Sequence, residues 1–113
     1  MAQDSSQTED FYCDYVLSGK LKVKRIYETN RVLAFHHTKP SYPFHVVIIP
    51  KAHIPTLLDL EDAELAFDMI EAAKQIIKDN ALQESSYRLV TNGGSNQDSH
   101  HFHLHLISGD KLS

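Results

Sequence analysis

The chain has 113 residues, 42% of them hydrophobic and 23% charged, with a formal net charge of -4. That is enough for one domain with a core, and it argues against a protein held to nucleic acid or membrane by bulk positive charge, although a local basic patch stays open. No apolar run approaches the roughly 18 residues of a transmembrane helix, and the single cysteine, Cys13, excludes an internal disulfide and a CxxC metal motif. A reducing cytoplasm is the expected compartment.

In chain order, "MAQDSSQTED" (1–10) is polar and acidic and has no apolar segment of signal-peptide type, so it reads as a disordered leader before a single domain over 11–113. "FYCDYVLSGK" (11–20) predicts a short helix closed by Gly19. "LKVKRIYE" (21–28) predicts one or two short strands, "TN" (29–30) a turn and "RVLAFHH" (31–37) a second strand. "TKPSYP" (38–43) is a loop, and "FHVVIIP" (44–50) is the strongest strand, β-branched and stopped by Pro50. "DLEDAELAFDMIEAAKQIIKDNAL" (59–82) predicts the one long helix, N-capped by Asp59, with Ala63, Ala66, Ile70, Ala73 and Ile77 as its apolar stripe. "YRLVTN" (87–92) and "HHFHLHLIS" (100–108) predict strands joined by the loop "GGSNQDS" (93–99), a hairpin that sets Asn92 beside the histidines. Neighbouring strands with one long helix inserted give an α+β class, an antiparallel sheet with its helices on one face.

The last strand poses the functional question. His101, His103 and His105 alternate with Phe102, Leu104 and Leu106, so the imidazoles share one face and the apolar residues pack on the other. A solvated face that happens to hold histidine is one reading. A metal site built from two of them with His45 is another; all three on one ion is disfavoured, because i and i+4 lie roughly 13 Å apart along a strand. The third is nucleophilic catalysis at phosphorus by a neutral imidazole, with flanking N–H groups and a glycine-rich loop binding the phosphoryl oxygens. That reading uses all three side chains.

"HFHLHLI" resembles the His-φ-His-φ-His-φ-φ signature of the histidine triad (HIT) superfamily of nucleotidyl hydrolases and transferases. "IYETNRVLAFHHTKPSYPFHVVIIPKAHI" (26–54) is similar to the family's central strands, "TNGG" and Gln97 stand where the family has its Asn-bearing strand end and its Gln, and "FYCDYVLSGK" resembles the opening helix. The resemblance covers roughly 11 to 109. Its Hint-like branch implies a five-stranded antiparallel sheet with one long and one short helix, a homodimer, no cofactor, and cleavage of purine nucleoside phosphoramidates to a nucleoside monophosphate and an amine. It implies His103 as nucleophile, with His101, His105 and His45 orienting it and binding phosphate oxygens. Asn92 and Gln97 fall on the phosphate side, Phe35 and Val16 in the base pocket. Dinucleoside polyphosphate hydrolysis, or nucleotide binding with incidental turnover, are the alternatives.

Three positions depart from the family pattern. His37 stands where an acidic residue usually holds the ribose hydroxyls. Asp98 stands where a Ser or Thr often assists the leaving group; it reads equally as an acid–base group and as a turn former. The glycine-rich loop is shorter than usual. Some relatives hold a structural zinc with a CxxC in the first helix; the lone Cys13 of "FYCD" leads to the expectation of no metal of that kind, with Cys13 as buried filler and His53 as structural. His36 and His100 are expected to face away from the chemistry.

Overall fold

Residues 11–112 are described by a computed structural model of the chain; the expected leader lies outside them. Five strands form one antiparallel sheet: β1 (Arg25–Glu28), β2 (Val32–His36), β3 (Phe44–Pro50), β4 (Arg88–Val90) and β5 (Leu104–Ser108). Their spatial order is β1-β2-β3-β5-β4. Two helices complete the α+β fold, the short α1 (Tyr12–Leu17), wound as a π-helix, and the long α2 (Ala63–Asp79). No helix of the described residues is long and apolar enough to cross a membrane.

The continuous apolar runs of β2 and β3 follow from burial on both faces. One face, with Val32, Ala34, Val46, Ile48, Leu104 and Leu106, packs under α2. The other, with Leu33, Phe35, Val47 and Ile49, packs under Tyr12 and Val16 of α1. The helices thus sit on opposite faces, not together on one as expected. The six residues of α1 cover only part of their face. His45 and His105 share it beyond the helix, and there the sheet opens to a cleft.

The helix α2 buries Leu65, Met69, Ala72, Ala73 and Ile76, and Ile70 is 44% exposed. The alanine–isoleucine stripe is therefore displaced. Two staggered apolar stripes run along this segment, and the one carrying the bulky Leu65 and Met69 removes more area from water. The helix also starts later than expected. Asp62 is the N-cap, its carboxylate accepting from the Glu64 and Leu65 N–H groups. Asp59 instead closes a 3-10 turn at Leu57–Asp59, accepting from the Thr56 N–H and hydroxyl. Over 21–28 a single strand forms, with a bulge between Arg25 and Tyr27.

The largest difference lies at the histidines. The strand β5 begins only at Leu104, so His101 and His103 precede it. The Phe102 N–H donates to the Ile54 carbonyl at 2.6 Å and the Thr91 hydroxyl to the His103 carbonyl at 3.1 Å. These bonds give the segment partners outside the β4 ladder. Phe102, Leu104 and Leu106 still reach the α2 core, as their alternation predicts.

Beyond β5 the chain turns at Gly109, whose φ of +88° suits glycine; a Cβ there would meet the Pro43 ring at 3.0 Å. The turn returns the chain to the 38–43 loop, where the Leu112 N–H donates to the Ser41 carbonyl at 2.8 Å.

Candidate active site

His103 is the centre of the arrangement and is only 5% exposed. Its Nδ1 lies 2.8 Å from the His101 carbonyl oxygen. A carbonyl only accepts, so Nδ1 carries the proton and the ring lone pair sits on Nε2, the nucleophilic form. Tyr12 of α1 lies against this ring at 5.0 Å between centroids, and His105 at 4.9 Å on another side.

His105, on β5, pairs across the sheet with Val47 of β3 and Val90 of β4. His45 comes from β3, and its Nε2 lies 2.9 Å from His105 Nδ1. The direction of that bond follows from the main chain. The Ser41 N–H donates to His45 Nδ1 at 2.9 Å, so in the neutral ring Nε2 holds the proton and gives it to His105. His105 in turn carries its own proton on Nε2. His37, just past β2, obeys the same logic: the Lys39 N–H donates to its Nδ1 at 2.9 Å, leaving Nε2 as the donor. Its ring sits 4.4 Å from that of His45 and 5.9 Å from that of His105. The cleft wall is thus a set of neutral imidazoles with fixed donor edges.

Burial, and the positive charge His37 would carry, push His45 down to about 4. Burial, then His103, His45 and His37, do the same to His105. Burial followed by His103 lowers His37. These rings are neutral at pH 7. The unfolded chain titrates near 6.5, so between that value and about 4 it binds more protons than the native state. Stability is full above about pH 6.5 and falls as the pH is lowered toward 4. Thermal melts stepped from pH 7 to pH 4 are expected to show a falling Tm across that window; a Tm constant from pH 7 to pH 5 would contradict it.

Two groups of side chains have metal-ligand spacing. The donor atoms of His37, His45 and His105 lie within 4.8 Å of one another. A ligating imidazole places its remaining N–H on an acceptor, whereas Nδ1 of both His37 and His45 faces a backbone N–H. That cluster is built to donate hydrogen bonds and does not fit a metal ion. Cys13, His53 and His101 form the second group. Cys13 Sγ lies 3.5 Å from His101 Nδ1 and 3.9 Å from His53 Nδ1. Here His101 Nε2–H donates to the Pro50 carbonyl at 2.7 Å, the outer bond a metal ligand uses. One thiolate and two imidazoles are three of the four ligands of a structural zinc. Cys13 and His53, set aside in the sequence, therefore stand together in space.

Other residues singled out in the sequence are distributed around this centre. Val16 and Phe35 are buried together where α1 meets the sheet, on the Tyr12 side of His103. Asn92 and Asp98 line the cleft with His37, His45 and His105. Gln97 ties its loop down, its amide donating to the Pro55 and Ser99 carbonyls at 2.6 and 2.8 Å. His101 is fully buried, with both ring nitrogens turned away from the cleft, toward Pro50 and Cys13. His36 lies against Phe44 at the other side of β2. The cleft, about 490 Å³, also takes in Tyr42, Arg88 and Lys111, which sequence reasoning passed over. The strand alternation Arg88, Val90, Asn92 carried a signal for Arg88, since it shares the Asn92 face.

Comparison with known proteins bears on what this geometry does. The family model of the HIT domain matches residues 18–112. A purine nucleoside phosphoramidase of Escherichia coli (strain K12) is 35% identical over 91 residues, 77% of this chain and 76% of that protein. An uncharacterized 13.2 kDa HIT-like protein of Azospirillum brasilense is 31% identical over 103 residues, 86% of this chain and 84% of that protein. A crystal structure of a HIT family hydrolase from Legionella pneumophila Philadelphia 1 aligns with a TM-score of 0.82 at 34% identity, covering 93% of this chain and 96% of that one.

Proposed function

Because the chain belongs to the histidine triad (HIT) family, we propose that it is a nucleotidyl hydrolase which cleaves purine nucleoside phosphoramidates through a covalent nucleotidyl-His103. In this reading Nε2 of His103 attacks the α-phosphorus and the phosphorus–nitrogen bond breaks. The amine leaves with a proton, and water then cleaves the phosphorus–Nε2 bond to release the nucleoside monophosphate. The observation that carries it is the 2.8 Å bond from His103 Nδ1–H to the His101 carbonyl, which leaves the lone pair on the nitrogen that must attack.

In the same reading we assign roles to the remaining residues. His105 Nε2–H, supported from behind by His45, stabilises the phosphoryl oxygens, and Asn92 lies on the same wall. His101 acts through His103, since its backbone sets the nucleophile's proton and its ring pins the segment to Pro50. The base takes the side of Phe35 and Val16, and His37 offers the ribose a donor. Asp98, on the cleft wall, faces the departing amine in this reading. Gln97 positions the loop. The expected partner is a second copy of the chain; Phe67 and Ile70 on the outer face of α2, with Leu89 on the edge strand β4, are the exposed apolar residues that such a partner would cover.

The test is AMP release from adenosine 5′-phosphoramidate beside diadenosine tetraphosphate. Faster release from the phosphoramidate is expected. Preference for the dinucleotide would replace this substrate class, and tight AMP binding with no release from either would make the protein a binding module.

A further inference from the structure

Beyond His105 the cleft continues to a cationic end that the reaction as written does not use. Arg88 lies on β4 opposite Ile107, and His105 is two residues back along β5, so the two are about 7 Å apart along the strands. The rings mark the same path away from His103: His105 contacts His45 at 5.1 Å, His45 contacts Tyr42 at 5.8 Å, and the Arg88 guanidinium sits 5.5 Å from the Tyr42 ring centre. Lys111 completes that end, held there by the Leu112 bond to Ser41.

Two of the three arginines are held by carboxylates. Arg25 pairs with Glu28, and Arg31 with Asp62 and Asp68. Neither Arg88 nor Lys111 has a carboxylate partner among the described residues, and Asp98 is the one carboxylate on the cleft wall. An arginine laid over an aromatic ring keeps its N–H edge directed outward, the arrangement that takes a carboxylate or phosphate in a two-point grip.

In-line displacement sends the leaving group to the side of phosphorus opposite the nucleophile. In that reading the base lies by Val16 and Phe35 and the ribose by His37, on the β2 side of the cleft, so the departing half enters its β4 side, where Arg88 stands. We propose that Arg88 and Lys111, with Tyr42, form a leaving-group subsite for an anionic substituent, either a carboxylate on the departing amine or the phosphates of a departing polyphosphate. The proposal rests on the reading of His103 as nucleophile and adds the class of leaving group it serves. It makes Arg88 a specificity residue.

The experiment compares three substrates: the adenosine 5′-phosphoramidate of glutamate, the same conjugate of glutamic acid diamide, which lacks both charges, and diadenosine tetraphosphate. In the wild type, kcat/KM for an anionic leaving group is expected to exceed that for the diamide by about tenfold, the scale of one or two partly exposed charge-assisted contacts. R88Q and K111Q are each expected to reduce that ratio toward one. A preference for glutamate identifies the carboxylate source, and a preference for the tetraphosphate the polyphosphate source. A wild-type ratio near one, or a ratio unmoved in both variants, overturns the subsite. Calorimetric affinities of the glutamate and diamide conjugates on His103→Gln protein separate this from the proposed reaction. A retained affinity ratio without any wild-type turnover keeps the subsite and removes the nucleophile. Turnover without an affinity or rate ratio does the reverse, and absence of binding by either conjugate overturns both.

Discussion

Replacing His103 by alanine is expected to lower AMP release from a phosphoramidate by at least about 10³-fold, because no other side chain can take over bond formation to phosphorus. The fold should survive. The loss includes the hydrogen bond to the His101 carbonyl, worth about 1 kcal/mol, and the ring contacts to Tyr12 and His105, while the backbone is held separately by the Thr91 hydroxyl and by the Phe102 bond to Ile54. Circular dichroism with single-turnover kinetics checks both halves of this expectation. His103→Gln keeps more of the volume and should be equally inactive. Either variant turning over at the wild-type rate would exclude the nucleotidyl-histidine route.

His101→Ala should show the opposite balance. That ring is fully buried, donates to the Pro50 carbonyl and receives Cys13 and Tyr12 against its other sides. Truncation opens a cavity inside the domain and strips the carbonyl of its donor. Together these are expected to cost about 3 kcal/mol of unfolding free energy, read as a lower urea midpoint at unchanged slope. The His103 contact at risk is made to the backbone of residue 101, which alanine retains. Turnover by the folded fraction should therefore fall far less than in His103→Ala. A variant as stable as the wild type would show that the imidazole is not a structural member of the core.

These two expectations separate histidines that look equivalent in the sequence. The alternation in "HFHLHLIS" correctly sends Phe102, Leu104 and Leu106 into the core and gathers the imidazoles on the α1 side. It does not show that the strand starts only at Leu104. That depends on Ile54 and Thr91, distant in sequence, capturing the chain first. Periodicity finds α2 and places Ala73 and Ile77 toward the core but centres the stripe off the buried face, since it weighs alanine and methionine alike whereas burial favours the bulkier Leu65 and Met69. Proton positions on His37 and His45 are invisible to any motif. They are set by the N–H groups of Lys39 and Ser41 in a loop that reads only as "TKPSYP". Likewise, the nearness of Cys13, His53 and His101 exists only once α1 has docked on the sheet.

The docking of α1 carries a thermodynamic consequence. Six residues fall well short of the roughly 12–15 at which an isolated helix becomes even marginal in water, so the order of this segment is borrowed from Leu33, Phe35, Val47 and Ile49 beneath it. The debt runs one way. Those four positions belong to strands that are also sealed by α2 from the opposite face, whereas Tyr12 and Val16 have the sheet as their support. In a hierarchy of partial openings α1 therefore belongs with the segments that release early. The roof over His103 is thus the layer expected to open before the sheet beneath it.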